Sequence, residues 1–359
     1  TLGSYNAATS NSQKQGLFST DNNLLAQLDG GLYFGKTGIT ENQWSLSSHG
    51  TNWTADPFFN DNLTSVSMSS NGEYQAAVST NANYIWVSSD YGKNWNNLST
   101  PAYYTDIAMS SDGKIMAATA NNSDNIYVST DYGENWTTKA SARSWSSVTM
   151  SSDGKIMTAT DDDEGGASAD IYISKDYGNT WTAAGQTGTH VWSDVAMSSD
   201  GKIMTAVSST SDYIYVSYDY GASWTTKDST RNWNGIAMSS DGKIQAATNN
   251  GGYIYISTNY GDTWSTTGSV KNWTKIAMST NGKIMTAVIS GDTIYASNNY
   301  GTTWSSTGAV KTWNGIAMSS DGKIQLASEY STTVYHSTAN SYIDSGNVGI
   351  GTQGPDAKL

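Results

Sequence analysis

The chain has 359 residues, no cysteine, and 18 Lys+Arg against 31 Asp+Glu, a formal charge of -13. Without thiols there is neither a disulfide framework nor a thiolate metal site, and the negative field repels polyanions, so nucleic acid is not an expected partner. No apolar run reaches the roughly 18 residues that a membrane helix needs, and no basic start leads into an apolar stretch, so neither membrane insertion nor a signal peptide is expected.

Only 14% of residues are charged, while Ser, Thr, Asn and Gly dominate and 14 Trp and 23 Tyr are spread among them. That balance predicts a β-rich virion or extracellular surface. Residues 1–43 are polar and Gly-rich apart from Leu24-Leu25 and Leu32-Tyr33-Phe34, and are expected to be a docking or linker segment. From 44 to 340 the chain repeats. The string Met-Ser-Ser/Thr-Asp/Asn-Gly places its methionine at 68, 109, 150, 197, 238, 278 and 318, in steps of 41, 41, 47, 41, 40 and 40 residues. Each unit holds short alternating segments, for example 236–238, 244–248 and 253–257, with a fourth starting at Trp264. Turn signals between them predict four antiparallel strands, a to d, and the Asp-Gly or Asn-Gly pair between a and b supplies the positive φ of a tight hairpin. Units of four strands at this period predict an all-β, seven-bladed propeller.

The c–d connection reads Ser-x-Asp-x-Gly-x-x-Trp at Ser88–Trp95, Ser129–Trp136, Ser174–Trp181 and Ser217–Trp224, with Asn259 and Asn299 in the Asp slot of two more copies. These copies resemble the Asp-box, or sialidase-type, propeller repeat over roughly residues 44 to 338. In that family the box is a structural hairpin remote from the active centre. Elementary chemistry agrees: a short acceptor side chain bonds the N–H groups of its own turn, Gly takes the unusual dihedral, and Trp packs beneath. Asn keeps the acceptor without the charge, which a catalytic or metal-binding carboxylate would not tolerate.

The seventh unit lacks a Gly-x-x-Trp of its own, and an orphan one stands at Gly50-Thr51-Asn52-Trp53. The N-terminal segment is therefore expected to complete the last blade as strand d and to close the ring, which protects strand edges. Alternating strands put the a–b and c–d turns on one nearly uniform face, expected to be scaffold. The b–c and d–a loops fall on a second, variable face, where recognition is expected. Five residues before each methionine stand Leu63, Tyr104, Trp145, Trp192, Trp233, Trp273 and Trp313. Two residues upstream of those come Asp61, Ala102, Arg143, His190, Arg231, Lys271 and Lys311. Both arginines of the chain fall in this series. A cation beside an aromatic suits a sugar, which stacks its apolar face and bonds its hydroxyls or acid groups. Blade packing explains the tryptophans as well, and solvated basic residues are common.

The one longer unit owes its length to the run Asp161-Asp162-Asp163-Glu164-Gly165-Gly166 on the variable face, whose carboxylates suit either Ca²⁺ or a solvated loop tip. No metal or cofactor is expected. Residues 341–359 contain Gly346-Asn347-Val348-Gly349-Ile350-Gly351-Thr352, then Pro355 and Lys358-Leu359. This resembles the linker of phage tail fibres and other virion fibres, which leads into a trimeric shaft. The resemblance implies fibre or virion subunits as partners and a homotrimer.

The expected function is non-enzymatic: a virion or cell-surface fibre protein for host attachment that binds a cell-surface glycan or glycoprotein through the variable face, at Tyr104 and the five Trp–cation pairs. A structural spacer or assembly protein is the alternative. A glycoside hydrolase is the second alternative, with Asp106, Asp194 and Glu329 as available carboxylates. Sialidase chemistry in the resembled family needs three arginines, and this chain has two.

Overall fold

The computed structural model describes residues 50, 52–59, 61–80, 84–99, 102–121, 124–162, 170–185, 190–330 and 333–338, together with the backbone of the terminal strands. The chain divides into two units, 49–338 on one hand and 1–48 with 339–359 on the other. In the second unit, Gly3–Thr9, Ser12–Phe18, Leu24–Leu28 and Leu32–Tyr33 pair in that order as a four-stranded sheet. Ser341–Asp344 and Asn347–Ile350 pair as a hairpin across the fibre-like motif, and 351–359 lie outside the described residues.

In the repeat unit each hydrophobic pattern becomes a short antiparallel sheet. Leu63–Met68, Gln75–Ser79, Tyr84–Ser88 and Asn96–Ser99 pair in chain order, as do Tyr104–Met109, Met116–Ala120, Asp124–Ser129 and Thr137–Arg143. Two further sheets follow with the same order, beginning at Trp145–Met150 and Trp192–Met197. From Trp233 onward the connections are tight enough for strands to run on. Gln245–Ser257 and Met285–Ser297 each cover the b and c positions of one repeat, while Ser265–Met278 and Ser305–Met318 each cover d of one repeat and a of the next. Every a segment carries a register shift just after its aromatic residue or Leu63, as at Trp192/Asp194, which leaves Ser193 as the extra residue of a bulge.

Burial is greatest in the second strand of each sheet and least in the fourth. All five residues of Met116–Ala120, Met157–Asp161 and Met204–Ser208 are buried, and small residues such as Ala117, Ala118, Ala246 and Ala247 let neighbouring sheets approach closely. Thr137–Arg143 and Thr225–Arg231 are mostly exposed, as an outer edge of Thr, Lys and Ser should be.

Two sets of bonds join the repeats. The residue two places after each methionine donates its N–H to its counterpart in the next repeat: Ser70 to Ser111, then to Ser152, Ser199, Ser240, Thr280 and Ser320, and Ser320 donates back to Ser70. At the other end of the order, Thr54–Ala55 pairs with Val334–Thr338, with Ala55 opposite Tyr335. Trp53 Nε1 donates to the Gly50 carbonyl at 2.8 Å, the bond that Trp136 makes to Gly133 at 3.0 Å. Among the described residues no helix is long and apolar enough to cross a membrane.

Candidate functional site

The Asp-box hairpins are built from inside. Ser88 Oγ donates to Asp90 Oδ1 at 2.9 Å and accepts from Gly92 N–H at 2.9 Å, while Asp90 Oδ1 accepts from Asn94 N–H at 2.9 Å. Where Asn replaces Asp the turn is kept: Asn259 and Asn299 each accept a backbone N–H, from Thr263 and Thr303, at 3.0 Å. The side chain serves as a turn acceptor, which the Asp/Asn alternation implied.

These bonds make the fold acid-sensitive. Hydrogen bonds from Asn135, Thr180 and Ser223 hold Asp131, Asp176 and Asp219 below the usual carboxylate range. In the a–b turns Ser110, Ser151, Ser198 and Ser239 do the same for Asp112, Asp153, Asp200 and Asp241. A depressed folded pKa contributes stability that is present above the unfolded value, about 3.9 for Asp, and lost as the pH falls through the folded value. Acid unfolding should therefore set in steeply below about pH 4 when followed by tryptophan fluorescence. Asp131→Asn should change the neutral Tm little, since it keeps the acceptor, and should blunt the acid transition.

The sequence-predicted sugar platform is placed differently from the expectation. Tyr104, Trp145, Trp192, Trp233, Trp273 and Trp313 are all 0% exposed. Their rings are packed between sheets and offer no face to a ligand, so the stacking role expected of them is corrected to packing. The physical reason is position: they start the first strand of a repeat, where the strands of the preceding repeat cover them, as Ile126 and Val128 cover Trp145.

Each buried tryptophan instead supports a tyrosine from strand c. Tyr172 meets Trp145 edge-on at 5.1 Å, and Tyr215, Tyr255, Tyr295 and Tyr335 meet Trp192, Trp233, Trp273 and Trp313 at 5.1, 4.9, 5.2 and 5.0 Å. Over the tyrosine lies the basic residue. The Arg143 and Arg231 guanidinium carbons stand 4.6 and 4.7 Å from the rings of Tyr172 and Tyr255, and the Lys271 and Lys311 ammonium groups 5.0 and 4.8 Å from those of Tyr295 and Tyr335. His190 packs 5.3 Å from Tyr215. A carboxylate completes each unit: Asp161 binds Arg143 at 2.9 Å, Asp292 binds Lys271 at 2.7 Å and Glu329 binds Lys311 at 3.0 Å. Asp212 bonds His190 Nδ1, and Asp228 lies 3.6 Å from Arg231. The basic side chains are thus explained by packing more fully than the sequence suggested, yet 31% of Arg143 and 30% of Arg231 remain exposed. Tyr104 packs on Tyr127 at 5.4 Å, in a repeat whose equivalent position is Ala102.

Of the acidic run, Asp161 is buried at 2% exposure and committed to Arg143, while Asp163 and Glu164 lie outside the described residues. The three carboxylates available to a hydrolase are committed as well. Asp106 accepts from Ser65 at 2.6 Å, Ser147 at 2.7 Å and the N–H groups of Ile107 and Val148. Asp194 accepts from Ser147 at 3.1 Å, from Val195 and Ile236 N–H, and from Lys275 at 2.9 Å. Glu329 accepts from Lys311 and from the Tyr335 hydroxyl at 2.8 Å.

Asp106, Asp194 and Lys275 occupy one repeat position, the third of the inner strand, which reads Ser65, Asp106, Ser147, Asp194, Gly235, Lys275 and Gly315 around the repeats. Gly235 separates Asp194 from Lys275 in this order, and its bare Cα lets the lysine reach past it: a Cβ there would sit 3.2 Å from the Lys275 Cα. Burial pushes the Asp194 carboxyl up. Burial also opposes the charge on Lys275, but Asp194 and Asp106 outweigh it and hold the ammonium above its usual value. Nearer the a–b turns, the seven methionines and the Ser/Thr residues two places after them line a cavity of about 190 Å³.

Sequence reasoning also passed over the residue between Asp and Gly of each box. Tyr91, Tyr132, Tyr177, Tyr220, Tyr260 and Tyr300 adopt φ of 59 to 64° and are 38 to 46% exposed. A left-handed conformation costs a residue with a Cβ about 1–2 kcal/mol relative to the right-handed one, and Asn or Gly meets it more cheaply.

The arrangement of four-stranded sheets is shared with solved structures. YCF48 from Cyanidioschyzon merolae superposes with a TM-score of 0.63 at 15% identity, over 80% of this chain and 98% of that one. YCF48 bound to D1 peptide gives 0.62 at 14% identity, over 80% and 96%. Residues 85–98 match the family model of the BNR-Asp box repeat. The chain is a β-propeller that carries BNR-Asp box repeats. No curated protein matches this propeller in sequence.

Proposed function

We propose that this BNR-Asp box propeller is a non-enzymatic attachment protein of a virion or extracellular surface, a closed ring of seven blades that binds a cell-surface glycan on its loop face. The ring reading rests on the seven-bond circuit that returns from Ser320 to Ser70, with Thr54–Ala55 as the outer strand of the last blade. The observation that carries the binding reading is the fivefold cation–carboxylate–tyrosine unit, in which the partly exposed side chains of Arg143, His190, Arg231, Lys271 and Lys311 are held by their carboxylates. Such preset donor and acceptor pairs bond sugar hydroxyls at little ordering cost. The non-catalytic reading is supported by the full commitment of Asp106, Asp194 and Glu329 to structural bonds. A place in a fibre, with a trimeric assembly, rests on the motif at 346–352.

A glycan array probed with the full chain tests the binding. Arg143→Met with Arg231→Met should lower the signal about ten-fold or more at an unchanged fold, each lost charged bond being worth about 1.5–3 kcal/mol. A silent array for the parent chain would reject this reading. The second reading is a protein partner, since YCF48 of similar fold is known with D1 peptide bound. The same variants separate it from the first if a protein, and no glycan, is retained by the parent.

A further inference from the structure

The exposed tyrosines of the Asp-box turns lead to a second surface, independent of the loop face. We propose that Tyr91, Tyr132, Tyr177, Tyr220, Tyr260 and Tyr300 form a multivalent binding surface for an uncharged polysaccharide on the turn face of the propeller.

All six residues are left-handed, with φ near +60°, a conformation that Asn and Gly adopt more readily than an aromatic residue. The turn itself does not use the tyrosine side chain: its bonds run through Ser, Asp or Asn, Gly and Trp, as at Ser217, Asp219, Gly221 and Trp224. Only the tyrosine N–H is tied down, to the carbonyl of the a–b turn, as Tyr177 is to Lys155. Among the described residues none of the six phenol groups has a hydrogen-bond partner, and one ring, Tyr132, has an aromatic neighbour, Tyr74 at 4.8 Å. The positions around the tyrosine change from copy to copy. The residue before the Asp/Asn is Ser89, Thr130, Lys175, Tyr218, Thr258 or Asn298, and the Asp itself gives way to Asn twice, yet the tyrosine stands in all six. A side chain that strains its backbone, takes no part in the turn and recurs without variation is retained for what its ring presents to solvent.

The chemistry of the surroundings selects the ligand. Tyr132 stacks on Tyr74, and the other five rings stand in turns of Lys, Asp, Asn, Ser and Thr without an aromatic contact among the described residues, which suits the CH face of a pyranose with its hydroxyls bonded by the neighbours, and not a desolvated protein hot spot. Lys155, Lys202 and Lys243 are each balanced by the Asp two residues earlier in the same turn, and four of the six boxes add a carboxylate. The turn face is therefore neutral to negative, like the whole chain, and an anionic glycan is disfavoured. Six like sites, in six of the seven repeats, favour a ligand that offers one unit many times, because tethered contacts reinforce one another.

The test uses the full chain in affinity electrophoresis through gels containing a β-glucan, a xylan, a galactomannan or, as the anionic arm, an alginate. The expected result is retardation by at least one neutral polymer and not by alginate, with a short oligosaccharide of the same sugar competing about a hundred-fold more weakly. Tyr177→Asn/Tyr220→Asn/Tyr260→Asn should weaken retardation about ten-fold or more while its Tm stays equal or rises, since Asn relieves the left-handed positions. Arg143→Met/Arg231→Met should leave retardation unchanged. The proposal is overturned by no retardation in any neutral polymer, by retardation in alginate alone, by retention of binding in the triple tyrosine variant, or by its loss in the arginine variant, which would place the binding on the loop face instead.

Discussion

Lys275→Met is expected to destabilise the propeller by about 3–5 kcal/mol at neutral pH, measured by denaturant titration. The methylene stem is kept, so the loss comes from the charge. Lys275 is the ammonium group that bonds Asp194 at 2.9 Å, and Asp194 shares the Ser147 hydroxyl with Asp106. Without the lysine, two carboxylates face one another among the inner strands with 7% and 9% of their surfaces exposed. The pH dependence then identifies the cause. Asp194 has a raised folded pKa already, so its contribution to stability is present at low pH and is lost as the pH rises from the unfolded value through the folded one. Removing Lys275 moves that folded value higher still. The variant should accordingly recover more stability on acidification from pH 7 toward pH 5 than the parent does. Asp194→Asn added to Lys275→Met should restore much of the loss at pH 7. An equal deficit at every pH would instead assign the effect to packing.

Trp233→Ala should cost about 3–5 kcal/mol and lower the Tm by roughly 5–10 °C. Trp233 is wholly buried, its Nε1 donates to the Asp212 carbonyl at 2.9 Å, and its ring carries both Tyr255 and Arg231. The loss therefore combines a large cavity, an unpaired carbonyl and the collapse of a cation–tyrosine unit. Trp233→Phe should recover part of it. Calorimetry of the three proteins checks the order. A Trp233→Ala chain with an unchanged Tm would mean that the indole is not the packing element that its burial indicates. Arg231→Met, which removes the charge above Tyr255 and its contact with Asp228, should cost about 1 kcal/mol, the scale of an exposed cation–π contact.

The seven methionines, the Asp-Gly turns and the Asp-box spacing were legible because each is a local requirement: a turn of given dihedral accepts few residue types, and a strand buried on both faces accepts few side chains. The orphan Gly50-x-x-Trp53 was legible for the same reason, since it keeps the box pattern without its partner strands. Recognition residues were less so. A tryptophan at the start of a repeat's first strand reads identically whether the neighbouring repeat covers it or a sugar does, and only the 0% exposure of Trp145, Trp192, Trp233, Trp273 and Trp313 separates the two. Four of the five basic residues two places upstream had partners from strands b and c, at separations of 18 to 22 residues, as in Arg143 with Asp161 and His190 with Asp212, while Arg231 meets Asp228 on its own strand. No local rule links such pairs.

By itself the sequence determined the repeat, its strands and turns, and the structural role of the Asp-boxes, because those depend on backbone dihedrals and on bonds within a few residues. The tertiary structure alone decided which side chains are spent on packing and which face solvent. Inner-strand neighbours come from successive repeats some forty residues apart, so the pairing of Asp194 with Lys275, the burial of the tryptophans and the exposure of the six turn tyrosines follow from how the sheets are packed side by side.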